Sequence, residues 1–269
     1  MKKPSAPVRP PAVAGRFYPD GAVALRASVE RFLREARHTD MDPKAVIAPH
    51  AGYVYSGPVA GSAFTHWMGM PGADQVRRIV LVGPSHQVAF EGVALSAAPA
   101  FQTPLGQVPV DAEACAPLAG LPGVKYLEEA HALEHCLEVE LPFLQCIFRN
   151  FALVPLVVGR APDGQVADVL ETVWGGPETR IVISSDLSHY LDYASANALD
   201  RATAAAIEKL EPQEIREHQA CGRIPIRGLL VAAQRLGLKA HEVDLRNSGD
   251  TGGSKDRVVG YGAFVFVEE

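Results

Sequence analysis

Three apolar runs in this chain are each followed by a polar loop that carries ionisable residues. The runs cover residues 45–48, 78–82 and 180–183, and the ionisable residues after them are His50, His86, Asp186 and His189. Short apolar runs of this kind are typical of buried strands. If these strands are parallel neighbours, their carboxyl ends meet at one edge of a sheet, where open α/β folds bind ligands. The pattern therefore predicts that these side chains converge.

Cys221 adds a sulfur atom to the predicted cluster. It precedes a helix expected to begin near Pro225, and the free amides and dipole of a helix start favour a thiolate. Two imidazoles and a thiolate form a ligand set for a borderline or soft transition metal and leave positions open for water, oxygen or substrate. Each residue also has an ordinary interpretation, in which the histidines make structural hydrogen bonds and Cys221 is a small buried apolar side chain.

The other histidines and cysteines give weaker signals. We interpret three cysteines as core residues, namely Cys115, Cys136 and Cys146, and four histidines as surface residues, namely His38, His66, His218 and His241. Ser85 lies in a sequence that resembles the nucleophile elbow G-x-S-x-G but lacks its last glycine, so we expect a plain turn. No C-x-x-C pair occurs, which argues against a zinc finger or a disulfide scaffold and favours a reducing compartment.

Strands alternate with helices in the rest of the chain. Helices are predicted at residues 20–38, 163–173, 194–209 and 225–236, further strands at 152–158, 240–245 and 258–267, a hairpin at 101–110, and a shorter helix ending near Ala220. This alternation predicts an α/β fold with a mostly parallel, mixed central sheet flanked by helices. Because we find no repeat or linker, we predict a single domain over residues 1–269, with residues 1–15 as an extended N-terminal arm.

Composition excludes several classes of protein. A chain of 269 residues with 48% hydrophobic content can bury a full core. The net charge of −6 argues against binding nucleic acid through phosphate neutralisation. The first eleven residues contain four prolines and no apolar segment typical of a signal peptide, and no apolar run reaches membrane-spanning length. We therefore expect a cytoplasmic protein that binds neither nucleic acid nor membranes.

Five ordered motifs resemble those of the Memo family, whose bacterial and archaeal members are also called AmmeMemoRadiSam system protein B. The motifs are PHAGY at residues 49–53, GPSH at 83–86, EH at 134–135, SSDLSH at 184–189 and CGRIPI at 221–226. The resemblance extends from about Arg9 to the C-terminus. One departure is Cys136, which stands where serine is expected after Glu134 and His135.

The resemblance implies a fold similar to that of class III extradiol dioxygenases, which are non-haem iron enzymes. It implies three metal ligands, His50, His86 and Cys221, and three further pocket residues with catalytic roles, His135, Asp186 and His189. The implied metal is Fe²⁺, with copper or zinc as alternatives. Those dioxygenases carry a carboxylate where this chain has Cys221, so the two-histidine, one-carboxylate triad is altered and ring cleavage does not follow. The family name also implies a radical-SAM partner.

The leading hypothesis is therefore a metal-binding protein that acts as an oxygen-dependent or redox oxidoreductase. His189 or His135 would be the general base, because a neutral imidazole accepts protons near physiological pH. Asp186 would orient a histidine or bind polar groups of the substrate. One alternative is a non-enzymatic module that binds a peptide or small ligand in the same pocket. A more remote alternative is a hydrolase that uses Ser85, or a metal-bound water with Asp186 as the base.

Overall fold

The β-branched runs of the sequence form the strands of one large mixed sheet. The computed structural model describes residues 7–268. The strands are β1 (Ala45–Ala48), β2 (Arg78–Pro84), β3 (Val93–Leu95), β4 (Ala100–Thr103), β5 (Gly106–Pro109), β6 (Val124–Tyr126), β7 (Ala152–Val158), β8 (Thr179–Ser184), β9 (His189–Leu191), β10 (Lys239–Asn247) and β11 (Val258–Val267). Strands β4 and β5 form the predicted hairpin.

Helices connect and cover these strands. They are α1 (Ala22–Glu35), α2 (Tyr53–Phe64), α3 (Ala112–Leu118), α4 (Glu128–Ala132), α5 (Cys136–Ile147), α6 (Asp163–Thr172), α7 (Tyr193–Glu208), α8 (Arg223–Leu236) and the single turn α9 (Ser248–Thr251). Among residues 7–268, none of the helices combines the length and the apolar character that crossing a membrane requires.

The strand order of the large sheet is β10-β11-β1-β8-β2-β7-β3-β6, and β9 pairs with β11. The four central strands β1, β8, β2 and β7 are mutually parallel, whereas β11 and β3 join them in antiparallel fashion. This confirms the predicted α/β fold with a mixed sheet and flanking helices. The likeness to extradiol dioxygenases stays a prediction.

Apolar side chains cover both faces of the sheet, because residues alternate between the faces along each strand. In β1, Val46 and Ala48 belong to the core under α1, α2 and α5, whereas Ala45 and Ile47 belong to the core under α6, α7 and α8. A strand buried on both faces reads as a continuous apolar run. This is why the central strands were recognisable from sequence.

The N-terminal segment is anchored to the body by Arg9. Its backbone bridges to Phe101 at the edge of the hairpin, and its buried guanidinium pairs with the buried carboxylate of Glu138. The backbone amides of Ala12 and Val13 donate to the same carboxylate. Residues 1–6 of the predicted arm lie outside the described residues.

Three local expectations were wrong. The helix expected to end near Ala220 is a single 3₁₀ turn, Pro212–Glu214, followed by a loop. Strands β6 and β9 were not predicted, since each has only three residues and neither is buried throughout. His66 is not a surface residue, because only 2% of it is exposed.

Candidate metal centre

Three neighbouring parallel strands deliver the predicted residues to one edge of the sheet. His50 lies two residues beyond β1, His86 two residues beyond β2, and Asp186 two residues beyond β8, which lies between the other two strands. The buried amide of His50 donates to Asp186 Oδ1 at 2.8 Å. This hydrogen bond joins the loop after β1 to the loop after β8.

Three imidazoles form the compact part of the site. One ring nitrogen each of His50, His86 and His135 lies within 4.8 Å of the other two. The ring centroids are 5.2 Å apart for His50 and His86, 5.3 Å for His50 and His135, and 4.7 Å for His86 and His135. His135 comes from the turn that begins α5, so a fourth segment completes the cluster.

Cys221 lies beside this group of imidazoles. Its Sγ is 3.3 Å from His50 Nε2 and 3.8 Å from Ser185 Oγ. The surroundings of Cys221 oppose the predicted preference for a thiolate. Burial and the charge of Asp186 raise the pKa of the Cys221 thiol to about 12. The amide of Gly222, the residue before α8, donates to Ser185 Oγ at 2.9 Å.

Glu134 holds His86 in a fixed orientation. Its Oε1 is 2.8 Å from His86 Nδ1, and its Oε2 accepts from the His86 amide at 2.6 Å. Burial opposes ionisation of Glu134, but the hydrogen bonds with His86 outweigh this effect and lower the pKa of the carboxyl to about 2. The ionised carboxylate is an acceptor, so His86 Nδ1 carries the proton and Nε2 is the ligand nitrogen.

A second buried chain of contacts orients His50. Ser184 Oγ lies 2.8 Å from His50 Nδ1 and 2.8 Å from Glu140 Oε1, and it also donates to Cys136 O at 2.7 Å. Glu140 Oε2 has no hydrogen-bond partner among the described residues. Burial raises the pKa of Glu140 well above its usual value; the bond with Ser184 opposes this rise, and the charge of Asp186 adds to it.

Burial favours the neutral form of two of the clustered imidazoles, those of His50 and His135. It lowers the pKa of His50 well below the usual value, and the neighbouring charge of His86 lowers it further. For His135, burial and the charges of His50 and His86 lower the pKa to about 4. Neutral imidazole is the form that binds metal ions.

The remaining predicted residues, Asp186 and His189, lie with the cluster around one cavity of about 700 Å³. His189 Nδ1 is 2.8 Å from the carbonyl oxygen of Leu187, so Nδ1 donates and Nε2 is left as an acceptor. Burial raises the pKa of Asp186, and the charge of His189 opposes this rise. The structure thus brings all six predicted residues to the same cavity.

Sequence reasoning missed several residues at this site. Phe17 lines the cavity and contacts His135 edge-on, with ring centroids 4.9 Å apart. His218, interpreted as a surface residue, also lines it, as does Tyr190. Both have positive φ, 68° and 61°, which is uncommon for non-glycine residues and clusters at functional sites. Glu140 could have been suspected, since a carboxylate on an apolar helical pattern is buried and needs a hydrogen-bond partner or a proton.

Ser85 is not arranged as a nucleophile. Its hydroxyl donates to the carbonyl oxygen of Val88 at 2.6 Å. An activated serine instead donates to a histidine or another base. The interpretation of this segment as a plain turn therefore agrees with its hydrogen bonding.

The residues present fit a transition-metal ion. With metal–nitrogen bonds of about 2.1 Å and a metal–sulfur bond of about 2.3 Å, two tetrahedral ligand atoms are roughly 3.5 Å apart. The 3.3 Å from Cys221 Sγ to His50 Nε2 is close to that spacing. The Nδ1 atoms of His50 and His86 are both occupied by hydrogen bonds, as is usual for histidine ligands. A soft sulfur with imidazoles suits iron, copper or zinc.

Comparisons with known proteins give matches to a single family. The model of the Memo-like protein family matches residues 9–265. A MEMO1 family protein of Methanococcoides burtonii is 36% identical over 271 residues, which cover 96% of this chain and 99% of that protein. MEMO1 family proteins of Sulfolobus acidocaldarius and Aquifex aeolicus are each 34% identical, and the matches cover 94% and 97% of this chain and 97% and 99% of those proteins.

Proposed function

This chain belongs to the Memo family, and from that membership and the site geometry we propose that it holds a non-haem iron ion through His50, His86 and Cys221. Copper and zinc accept the same nitrogen and sulfur ligands and are the alternatives. The observation that carries the proposal is the cluster of the His50, His86 and His135 imidazoles, with Cys221 Sγ 3.3 Å from His50 Nε2. His135 belongs to the same group and is the competing third ligand.

We further propose that the protein is an oxidoreductase. Bound iron supplies oxygen activation or polarises a substrate oxygen as a Lewis acid. His189 accepts a proton from the substrate at Nε2, because its Nδ1 donates to Leu187 O. Asp186 fixes the loop that carries His50 through the amide of that residue. Phe17 forms an apolar wall that limits water at the cluster.

Metal analysis tests the binding step. The protein is purified anaerobically with Fe²⁺, and bound metal is counted in the parent chain and in the double variant Cys221→Ser/His86→Ala. We expect about one ion per parent chain and loss of most of it in the double variant, since two of three ligands are removed. His241→Gln, which changes a histidine outside the cavity, is the control. Equal metal content in the parent and the double variant would overturn the proposal.

Single variants decide the third ligand. If Cys221 is the ligand, Cys221→Ser releases iron at lower chelator concentration than His135→Ala does. The opposite order would assign that role to His135. The readout is the fraction of iron retained against increasing chelator, with circular dichroism to verify that each variant is folded.

Oxygen uptake tests the enzymatic step. The iron-loaded protein is given a panel of catechols and thiols, and consumption is compared with that of free iron. Faster consumption that falls in His189→Gln, with iron content unchanged, supports the oxidoreductase. Consumption no faster than that of free iron favours a module that binds a small molecule or peptide in the cavity without turnover. The radical-SAM partner stays a prediction.

A further inference from the structure

A second cavity lies at the end of the sheet opposite the histidine cluster. Its volume is about 530 Å³, and it is lined by three arginines, Arg26, Arg77 and Arg149. Arg77 directly precedes β2, whereas His86 follows the carboxyl end of that strand. With seven residues in β2 and about 3.3 Å per residue, the two sites are roughly 20 Å apart or more. This arginine cavity is therefore separate from the candidate metal centre.

The arginines of this cavity have no carboxylate within ion-pair distance among residues 7–268. No carboxylate is among its described lining residues, and none of the three arginines forms an ion pair within residues 7–268. Like charges that converge repel one another, and a bound anion removes that repulsion. The chain as a whole is acidic, with 31 Asp and Glu against 25 Lys and Arg, so chance composition does not favour such a cluster.

Arginines that line three of the protein's cavities can be compared by whether each has a carboxylate partner. Beside the candidate metal centre, a neighbouring cavity contains Arg160 and Arg223, which lie 3.5 Å from Glu91 and 4.0 Å from Glu217. Arg180, in a further cavity, is 3.2 Å from Asp42. Guanidinium groups that line cavities in this protein are thus paired with carboxylates, and the arginine cavity is the exception among the cavities compared.

The three arginines of the arginine cavity come from separate segments of the chain, and all three are exposed. Arg26 is on α1, and its Nη1 is 3.9 Å from Cys146 Sγ of α5. Arg77 Nη1 donates to the carbonyl oxygens of Asp74 at 2.5 Å and of Val76 at 2.9 Å, and its Nη2 and Nε have no hydrogen-bond partner within residues 7–268. Arg149 follows α5 and is exposed. Three segments thus present guanidinium donors to one space.

We propose that the arginine cavity binds a small phosphorylated metabolite. Guanidinium groups match phosphate oxygens with paired, charge-assisted hydrogen bonds. The exposed amide of Asn150 adds a neutral donor and acceptor, while Leu105 and Val108 offer an apolar wall for the body of the ligand. The cavity volume suits a ligand of nucleotide size or smaller. This inference does not rest on the proposed metal chemistry.

Calorimetry with inorganic pyrophosphate and ADP tests the proposal on the full, metal-free chain at low salt. We expect saturable binding of at least one probe to the parent. Arg26→Gln and Arg149→Gln each weaken it about tenfold, because each removes a charge-assisted contact. The matched control is Arg34→Gln, which removes the same charge from an exposed position of α1 outside the cavity and leaves the dissociation constant unchanged.

Three results would overturn the proposal that the arginine cavity binds a phosphorylated metabolite. The first is the absence of saturable binding of either probe to the parent. The second is an equal loss in Arg34→Gln, which would mean attraction to net charge alone. The third is tighter binding of a ten-nucleotide single strand than of ADP, which would assign the surface to nucleic acid. Unchanged pyrophosphate binding in Cys221→Ser/His86→Ala supports the proposal and separates this site from the metal centre.

Discussion

Two glutamates on α5 are equally buried but differ in the number of hydrogen-bond donors around their carboxyl groups. Glu138 and Glu140 are both fully buried. Glu138 accepts hydrogen bonds from the Arg9 guanidinium, two backbone amides and the hydroxyl of Tyr18. Glu140 meets only Ser184, and its second oxygen has no partner among the described residues. An ionised carboxylate needs several donors when it is buried. The donors around Glu138 suit a charged group, whereas burial raises the pKa of Glu140 and favours its protonated form.

The substitution of each glutamate by glutamine distinguishes these states. Glu140→Gln replaces a neutral acid with a neutral amide of the same shape, so we expect the free energy of unfolding to change by less than about 1 kcal/mol. Glu138→Gln leaves the buried guanidinium of Arg9 without its counter-charge and is expected to cost about 3–5 kcal/mol. Urea unfolding at pH 7 measures the free energy of unfolding of both variants and of the parent. Similar losses in the two variants would show that Glu140 is ionised as well.

The residues that line the candidate site could be predicted from the sequence better than the residues that support them. His50 and His86 were recognisable because a polar loop after an apolar run is a local pattern. The contact of Glu134 with His86 joins residues 48 positions apart, and that of Glu140 with Ser184 joins residues 44 apart. No local pattern encodes such pairs. They depend on how α5 packs across the sheet.

Element boundaries followed from local signals where burial was continuous. The predicted strands at 45–48 and 152–158 and the predicted helix at 163–173 agree with β1, β7 and α6 to within one residue. The loop after the 3₁₀ turn at Pro212–Glu214 was wrongly predicted as part of a short helix. There the backbone is fixed by tertiary contacts such as Gln219 Nε2 to Thr203 Oγ1 at 2.9 Å, which local propensity cannot reveal.

The contact between α6 and α8 depends on a glycine. A Cβ atom at Gly228 of α8 would lie 2.3 Å from Val166 Cγ1 of α6. This contact helps fix the helix that begins just after Cys221. Gly228→Ala is expected to lower the free energy of unfolding by about 1–3 kcal/mol, because the two helices must separate or Val166 must leave its rotamer.

Gly164 provides the matched control on the same helix pair. A Cβ atom there would meet only Arg235 Nη2, at 3.8 Å. Gly164→Ala should therefore be neutral or stabilise the protein by about 0.5 kcal/mol through the lower entropy of the unfolded chain. Thermal and urea unfolding of both variants measure the contrast. Equal effects would mean that the α6–α8 spacing is not set by Gly228.

At the scale of the whole molecule, the order of the strands has no local signal in the sequence. Convergence of His50, His86 and Asp186 required β1, β8 and β2 to be adjacent and parallel, and the structure has that order. Strand β8 comes more than 90 residues after β2 and inserts between it and β1. Such an order is set by the packing of helices on both faces of the sheet. The apolar runs identify the strands but not their order, so the adjacency of β1, β8 and β2 was an assumption of the prediction.

Buried neutral histidines also make the stability of the whole molecule depend on pH. Burial, assisted by the charge of Arg9, lowers the pKa of His131 to about 4, against about 6.5 in the unfolded chain. The folded chain thus favours neutral His131. Its contribution to stability is complete above pH 6.5, declines as the pH falls from 6.5 towards 4, and changes no further below that. Burial of His66 acts in the same direction.

His131→Gln isolates this contribution. Glutamine can replace the donation from His131 Nε2 to the carbonyl oxygen of Ala94 but does not titrate. We expect the free energy of unfolding of the parent to fall by about 2–3 kcal/mol more than that of the variant between pH 7 and pH 4. Urea unfolding across this range measures it, with His38→Gln, a change at an exposed histidine, as the control. If His131→Gln and the parent lose stability in parallel, His131 is not the acid-sensitive group, and the loss arises elsewhere in the fold.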